Sequence, residues 1–211
     1  ADTNRLICPS RLIICFRVRW RTKMKIEKIE AFKVQIPMKG DYRMSRGAHT
    51  ALHSLVVRVT TDDGIVGVGD AHQGVPGYSS ETVDTMHAVV TNSYVPVLRD
   101  RPLESLEQLY NDLNRARMGN PFARSALDIA LYDALSRAQG VTISEMLGGP
   151  VRQKLDLSAS IGIDDPDKVA ATAKSYVASG FGTIKAKVGS GDVDEDIERV
   201  RAIREAVGES V

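Results

Sequence analysis

The sequence predicts an α+β region, an antiparallel sheet followed by three helices, joined to the opening of a parallel α/β region. Three observations predict it. An Asp62-Asp63-Gly64 turn lies between two β-branched runs, and the segments after it carry apolar residues at helical spacing. Beyond residue 155, strand and helix patterns then alternate at a spacing of about 28 residues, the rhythm of a parallel sheet. The chain has 211 residues, 43% hydrophobic and 26% charged, with a formal net charge of +1. Those values are ordinary for a folded protein and exclude fibrous or wholly disordered classes. No apolar stretch approaches the roughly 20 residues needed to cross a bilayer.

Charge is uneven along the chain. Residues 1–23 hold Arg5, Arg11, Arg17, Arg19, Arg21 and Lys23 against a single acid, Asp2, together with Cys8, Cys15 and Trp20. This stretch has no helical or strand period, and its apolar run at 12–16 is too short for a secretory signal. It reads as a non-native or disordered basic leader with the native protein starting at Met24; a targeting peptide and a basic arm are the competing readings. The remainder holds 22 basic and 26 acidic residues and no cysteine. That excludes disulfides, thiolate metal sites and cysteine nucleophiles there, and leaves no basic footprint for nucleic acid.

From Met24 the elements follow in order. Residues 24–37 place Ile26, Ile29, Phe32, Val34 and Ile36 on an alternation that slips once, a strand with a bulge. Residues 38–53 show no period and read as a long loop. Residues 54–61 and 65–69 are the two arms of a hairpin, its turn made by Asp-Gly because the glycine accepts positive φ. The glycines of Gly67-Val68-Gly69 are read as that return strand turning toward a second loop at 71–80. They do not open a dinucleotide fingerprint, since His72 replaces the third glycine and no helix follows. Ser79 or Ser80 then caps a helix with Val83, Met86, Val90 and Tyr94 on one face. Pro102 starts the next, with Leu106, Leu109, Tyr110 and Leu113. Asn120-Pro121 starts a third, whose Leu127, Leu131, Leu135 and Ala138 recur every fourth residue until Gly140 ends it.

A boundary at Leu147-Gly148-Gly149-Pro150 divides an α+β domain, residues 24–148, from residues 149–211. The second part reads strand 155–161, helix 164–180, strand 183–188 and helix 192–207. Two parallel strands with two helices neither close a barrel nor cover both faces of a sheet. The expectation is an incomplete α/β unit.

The residues richest in chemistry are Lys185 and Lys187, in Thr-Ile-Lys-Ala-Lys-Val-Gly. Side chains two apart on a strand share a face, so both amines point one way while Ile184, Ala186 and Val188 point the other. Two close ammonium groups disfavour each other's charged form, and burial adds to this, so one amine becomes a general base near neutral pH. A solvated strand face is the bland alternative.

Residues 119–149, GNPFARSALDIALYDALSRAQGVTISEMLGG, followed one βα unit later by TIKAKVG at 183–189, resemble the mandelate racemase and muconate-lactonizing family of the enolase superfamily. The K-x-K pattern resembles its muconate-lactonizing subgroup. The resemblance implies that residues 24–148 are the capping domain and 149–211 the first two βα units of a (β/α)₇β TIM-like barrel. It implies Lys187 as the acid/base acting on the proton α to a substrate carboxylate, with Lys185 tuning it and neutralising the enolate. A racemase, epimerase or cycloisomerase is expected, with a dehydratase of a hydroxy or sugar acid, or a non-catalytic interaction module, as alternatives. Mg²⁺ or Mn²⁺ is the implied cofactor. Its ligands would be carboxylates on the third to fifth barrel strands, so no metal ligand is assigned within this chain and the fragment is expected to be inactive. A cytoplasmic location, a small carboxylate substrate, and a homo-oligomer at full length, with neither nucleic acid nor membrane as partner, complete the expectation.

By the same resemblance the loops 38–53 and 71–80 close over the barrel mouth, making Tyr42, Arg46, His49, His72 and Tyr78 candidates for substrate specificity. His49 and His53, four apart with no helical period and no acid beside them, are not read as a metal pair. Asp128 and Asp133 are read as solvated or capping acids. Asp192, Asp194, Glu195 and Asp196 are read as complementing a helix dipole.

Overall fold

The computed structural model describes residues 24–45, 47–74 and 79–211, so residues 1–23, expected to be a basic leader, lie outside the described residues. Strands β1 (Ile26–Met44), β2 (Gly47–Thr61) and β3 (Val66–His72) form one antiparallel sheet in that order. The Asp-Gly turn joins β2 to β3 as expected: Gly64 sits at φ +83° and the Thr61 amide donates to the Ile65 carbonyl at 2.9 Å. Alternation decides the faces. Leu55, Val57 and Val59 are fully buried, while Arg58 between them is exposed and pairs with Glu30 across the strands.

The expected loop at 38–53 is instead paired strand. β1 and β2 run on into a long hairpin in which Tyr42 opposes His49 and Arg43 opposes Ala48, after an irregularity between Pro37 and Tyr42. The sequence conceals this because no described residue of the extension is buried, its few apolar residues are scattered over both faces, and the pairing slips there, so no period of two survives.

A second correction concerns Gly67 and Gly69. They do not turn the chain; both lie inside β3, which packs on helix α4 (Pro121–Gln139). A Cβ on Gly67 would run into the Ala130 carbonyl and Ala134, and one on Gly69 into the Ala126 carbonyl and the Ala130 amide. Small residues on both sides let strand and helix backbones approach. Asp133 of α4 then accepts the Val68 amide at 2.9 Å and binds Arg137, so it is a tie between layers and not a solvated acid.

The other helices complete this core. Helix α1 (Val83–Val89) is capped by Thr82 in a reciprocal box with Thr85, so Ser79 and Ser80 are not its cap. It passes through a π-helical turn, Val90–Tyr94, into α2 (Val95–Leu98), and this line buries Met86, Val90, Tyr94 and Leu98. α3 (Leu106–Ala116) starts from the Ser105 cap, not from Pro102, which forms a bridge with Lys25. Buried Glu81 caps α4 from outside the helix, accepting the Phe122 and Ala123 amides at 2.8 and 3.1 Å. Gly140 ends α4 in the left-handed region, and a short α5 (Ile143–Met146) follows behind its own Thr142–Glu145 box.

After residue 150 come β4 (Ala159–Ile161), α6 (Pro166–Ala178), β5 (Ile184–Ala186) and α7 (Val193–Val207), with β4 and β5 parallel. The strand–helix alternation is as read, but the strands are shorter. Leu155 and Leu157 stay exposed, since the backbone pairing begins only at Ala159. A small separate core joins Ile161, Val169, Ala173 and Ile203.

Candidate active site

β5 is the central element. Its ladder with β4 runs from the Ala159 amide on the Thr183 carbonyl, at 2.9 Å, to the Lys187 amide on the Ile161 carbonyl, at 3.0 Å. Ile184 and Ala186 pack against the α6–α7 core. By the alternation of a strand, Lys185 and its register partner Ser160 occupy the opposite face. Lys185 is exposed and Lys187, one step beyond the strand, is half-buried.

The tip of the β1–β2 hairpin lands on this end of the strands. The hydroxyls of Tyr42 and Ser160 meet at 2.5 Å, and the Ile163 amide donates to the Arg43 carbonyl at 3.0 Å. Two glycines make room. A Cβ on Gly162 would stand 3.0 Å from the Arg43 carbonyl oxygen, and one on Gly189 would stand 3.1 Å from the Ser45 Cβ. The hairpin therefore covers the carboxyl ends of two parallel strands, the end at which such sheets hold their ligands. Asp164 lies in the same junction. The Asp165 amide and then Lys168 hold its carboxyl below the usual range, with a further pull from Arg43.

Further along the hairpin, His49, His53 and His72 line a cleft of about 210 Å³ with Thr50 and Gln73. His72 Nδ1 accepts the Gly74 amide at 2.8 Å. Burial lowers the pKa of this imidazole, and the neighbouring His49 and His53 lower it further, against an opposing pull from Asp70. Tyr42, His49 and His72 are thus gathered on one hairpin and its neighbouring strand end. Arg46 and Tyr78 lie outside the described residues.

Sequence reasoning missed Ser160, Arg43 and Ser45, whose roles arise from the docking of hairpin on strand ends. Only Gly162 and Gly189, two glycines directly after strands, signal a close backbone approach. It also missed Asp196, which spans back to the turn after β5: Asp192 alone caps α7, accepting the Asp194 amide at 2.9 Å. Among the described residues no group of three or more His, Cys, Asp or Glu side chains could hold a metal ion. Nothing described here fits the Mg²⁺ that the resemblance implies. What these residues can do is accept or donate a proton at an amine and cover the site that surrounds it. No helix among the described residues is long and apolar enough to cross a membrane.

Two family models match successive parts of the chain. Residues 26–148 match the family model for the mandelate racemase / muconate lactonizing enzyme N-terminal domain, and residues 168–211 match the enolase C-terminal domain-like model. The L-Ala-D/L-Glu epimerase of Bacillus subtilis is 32% identical over 89% of this chain and 51% of its own length. Muconate cycloisomerase 1 of Rhodococcus opacus is 31% identical over 88% of this chain and 50% of its own. Among solved structures, the dipeptide epimerase of Enterococcus faecalis complexed with Mg and the dipeptide L-Leu-L-Tyr superposes with a TM-score of 0.83 at 28% identity, over 89% of this chain and 52% of that one. The chain spans about half the length of the relatives it matches, which include racemases, epimerases and cycloisomerases. An antiparallel capping sheet with its helices, the βα units beneath it and the match over more than half the residues place this chain in the mandelate racemase / muconate lactonizing enzyme family of the enolase superfamily.

Proposed function

We propose that the whole protein removes or returns the proton α to the carboxylate of a small substrate, as a racemase, epimerase or cycloisomerase, with Lys187 as the acid/base. Residues 24–148 would be its capping domain and 149–211 the opening of its barrel. The observation that supports this reading is the alternation on β5: Ile184 and Ala186 turn to the helices, while Lys185 shares the other face with Ser160, beneath the hairpin tip. A proton beside a carboxylate is very weakly acidic, so the base must be held close and water kept away. Lys187 supplies the amine, Lys185 adds positive charge where the enolate forms, and the Tyr42 hairpin covers the reacting face. A divalent cation would supply further positive charge for that enolate in the whole protein, and none of the described residues is assigned to hold it. Tyr42, Arg46, His49, His72 and Tyr78 select the rest of the substrate from the cap.

Exchange of the α-proton in deuterated solvent tests the assignment. In the full-length protein Lys187→Ala should slow exchange by ~10²–10⁴-fold, the range of a positioned acid/base. Exchange at the parent rate removes Lys187 from the mechanism.

A further inference from the structure

Lys187 is held between two anchors. On one side its own amide closes the β4–β5 ladder on the Ile161 carbonyl at 3.0 Å. Two residues on, the Gly189 amide donates to Asp196 Oδ2 at 2.7 Å. Only Val188 separates the anchors. Asp196 does more than accept this bond: its Oδ1 takes the Ser190 hydroxyl at 3.2 Å and pairs with Arg199. Arg199 Nη2 donates in turn to Ser190 Oγ at 2.6 Å, and its side chain is only 7% exposed. Glu195 stands at the rim of the pair, 3.5 Å from Arg199 Nη1.

This network is not an ordinary helix cap. Asp192 already accepts the Asp194 and Glu195 amides at the start of α7, which frees the Asp196 carboxylate to point back at the turn. A guanidinium this deeply covered is tolerated only while its carboxylate is present, since a lone buried charge is strongly unfavourable. The turn being held is also where the cap arrives: Gly189, at φ +100°, sits against Ser45 of the hairpin tip. The same three-residue stretch, Lys187 to Gly189, thus carries both the lysine and the landing site of the cap.

We propose that Asp196 and Arg199 are positioning residues for Lys187, clamping the Gly189–Ser190 turn so that the amine and the capping hairpin keep a fixed mutual geometry. This rests on the reading of Lys187 as the acid/base. A displacement of about 1 Å at a reacting group is enough to lower a rate ~10²-fold.

Trace acetylation with acetic anhydride, quantified for each lysine by mass spectrometry, tests the clamp in the 211-residue chain without needing activity. In Asp196→Asn the Lys187 rate should change at least threefold relative to Lys174 on α6, and Asp196→Glu should restore most of the difference. General loosening of the βα region would instead move Lys187, Lys174 and Lys168 together; that result, or no change in a folded variant, overturns the proposal. If Asp196→Asn does not fold, hydrogen exchange in the parent chain decides: the Gly189 amide should exchange at least tenfold more slowly than the Gly191 amide, and equal rates overturn the clamp. In the full-length protein Asp196→Asn should lower kcat for α-proton exchange by ~10–100-fold with KM within about threefold. A Lys187→Ala variant that retains exchange would defeat the catalytic reading while leaving the labelling result intact. Selective loss in Lys187→Ala without a labelling change would defeat the clamp alone.

Discussion

Residues 26–148 close Leu55, Val57 and Val59 of β2 against Leu127, Leu131 and the alanines of α4 in one continuous core, whereas the core of residues 159–207 amounts to Ile161, Val169, Ala173 and Ile203. The second region leaves Val188, Val193, Ile197 and Val200 exposed, three of them along the outer face of α7. The capping region therefore carries its own stability. The βα region leans on what it touches, and among the described residues it touches the hairpin tip. The catalytic lysines of the proposed mechanism sit in the weaker half, where Lys187 is flanked by polar bonds within that half, and the Tyr42–Ser160 and Arg43–Ile163 bonds tie that half to the stronger one.

Core truncation should break this comparison most visibly. Leu131 is fully buried among tightly packed neighbours, so Leu131→Ala should lower stability by ~3–5 kcal/mol, cavity included. Ile203 lies at the margin of a core that can collapse, and Ile203→Ala should cost about 2 kcal/mol or less. Chemical denaturation gives both values, and site-resolved hydrogen exchange locates them. Leu131→Ala should speed exchange throughout the molecule, Ile203→Ala only in β4, β5, α6 and α7. A global effect from Ile203→Ala would mean that the two regions fold as one unit.

The docking itself is probed by Gly162→Ala. The added methyl would stand 3.0 Å from the Arg43 carbonyl oxygen and 3.2 Å from its amide, both backbone atoms that cannot swing aside. Overpacking of this kind costs roughly 1–3 kcal/mol. NMR signals from Tyr42 should report loss of its contact with Ser160, while the β1–β2 ladder nearer Leu55 keeps its protection. An unchanged Tyr42 signal would show that the hairpin is not seated on Gly162.

The same division governed what could be read from the sequence. Helix α4 was legible because Leu127, Leu131 and Leu135 recur at one period and Asn120-Pro121 and Gly140 mark its ends. The hairpin turn at Gly64 was legible for the same local reason. The hairpin's outer half was not: Gly47, His49 and Ala51 share one face, Ala48 and Thr50 the other, and neither forms an apolar stripe to reveal pairing. β3 carries Gly67 and Gly69 where strands normally carry bulk, and only the alanine series of α4 explains them. The lysine pair was visible as a strand alternation. Its polar supports were not: strand and helix periods mark apolar faces, whereas Ser160, Ser45 and Asp196 act through polar bonds and close contacts to other elements and turns that no period encodes.

Two carboxylates sharpen the contrast through opposite pH behaviour. In the capping region burial raises the Asp128 carboxyl above its usual value of 3.8, and its Oδ1 has no hydrogen-bond partner among the described residues. In the βα region the Gly189 amide, then Arg199, lower Asp196. A raised carboxyl binds its proton more tightly folded than unfolded, so stability falls as pH rises from about the unfolded value through the raised one, and the full cost stands above it. A lowered carboxyl does the reverse: its contribution is present above the unfolded value and is lost as pH falls through the folded one. Asp128→Asn should therefore match the parent at acid pH and exceed it near pH 7, by less than about 1 kcal/mol because the group is half solvated and screened. Asp196→Asn should be weaker than the parent near pH 7, with the gap narrowing on acidification. Thermal melts of both variants from about pH 2 to 7.5 span the two windows and give the two slopes, and a pH-independent gap for either one would mean that its carboxyl acts by shape and not by charge.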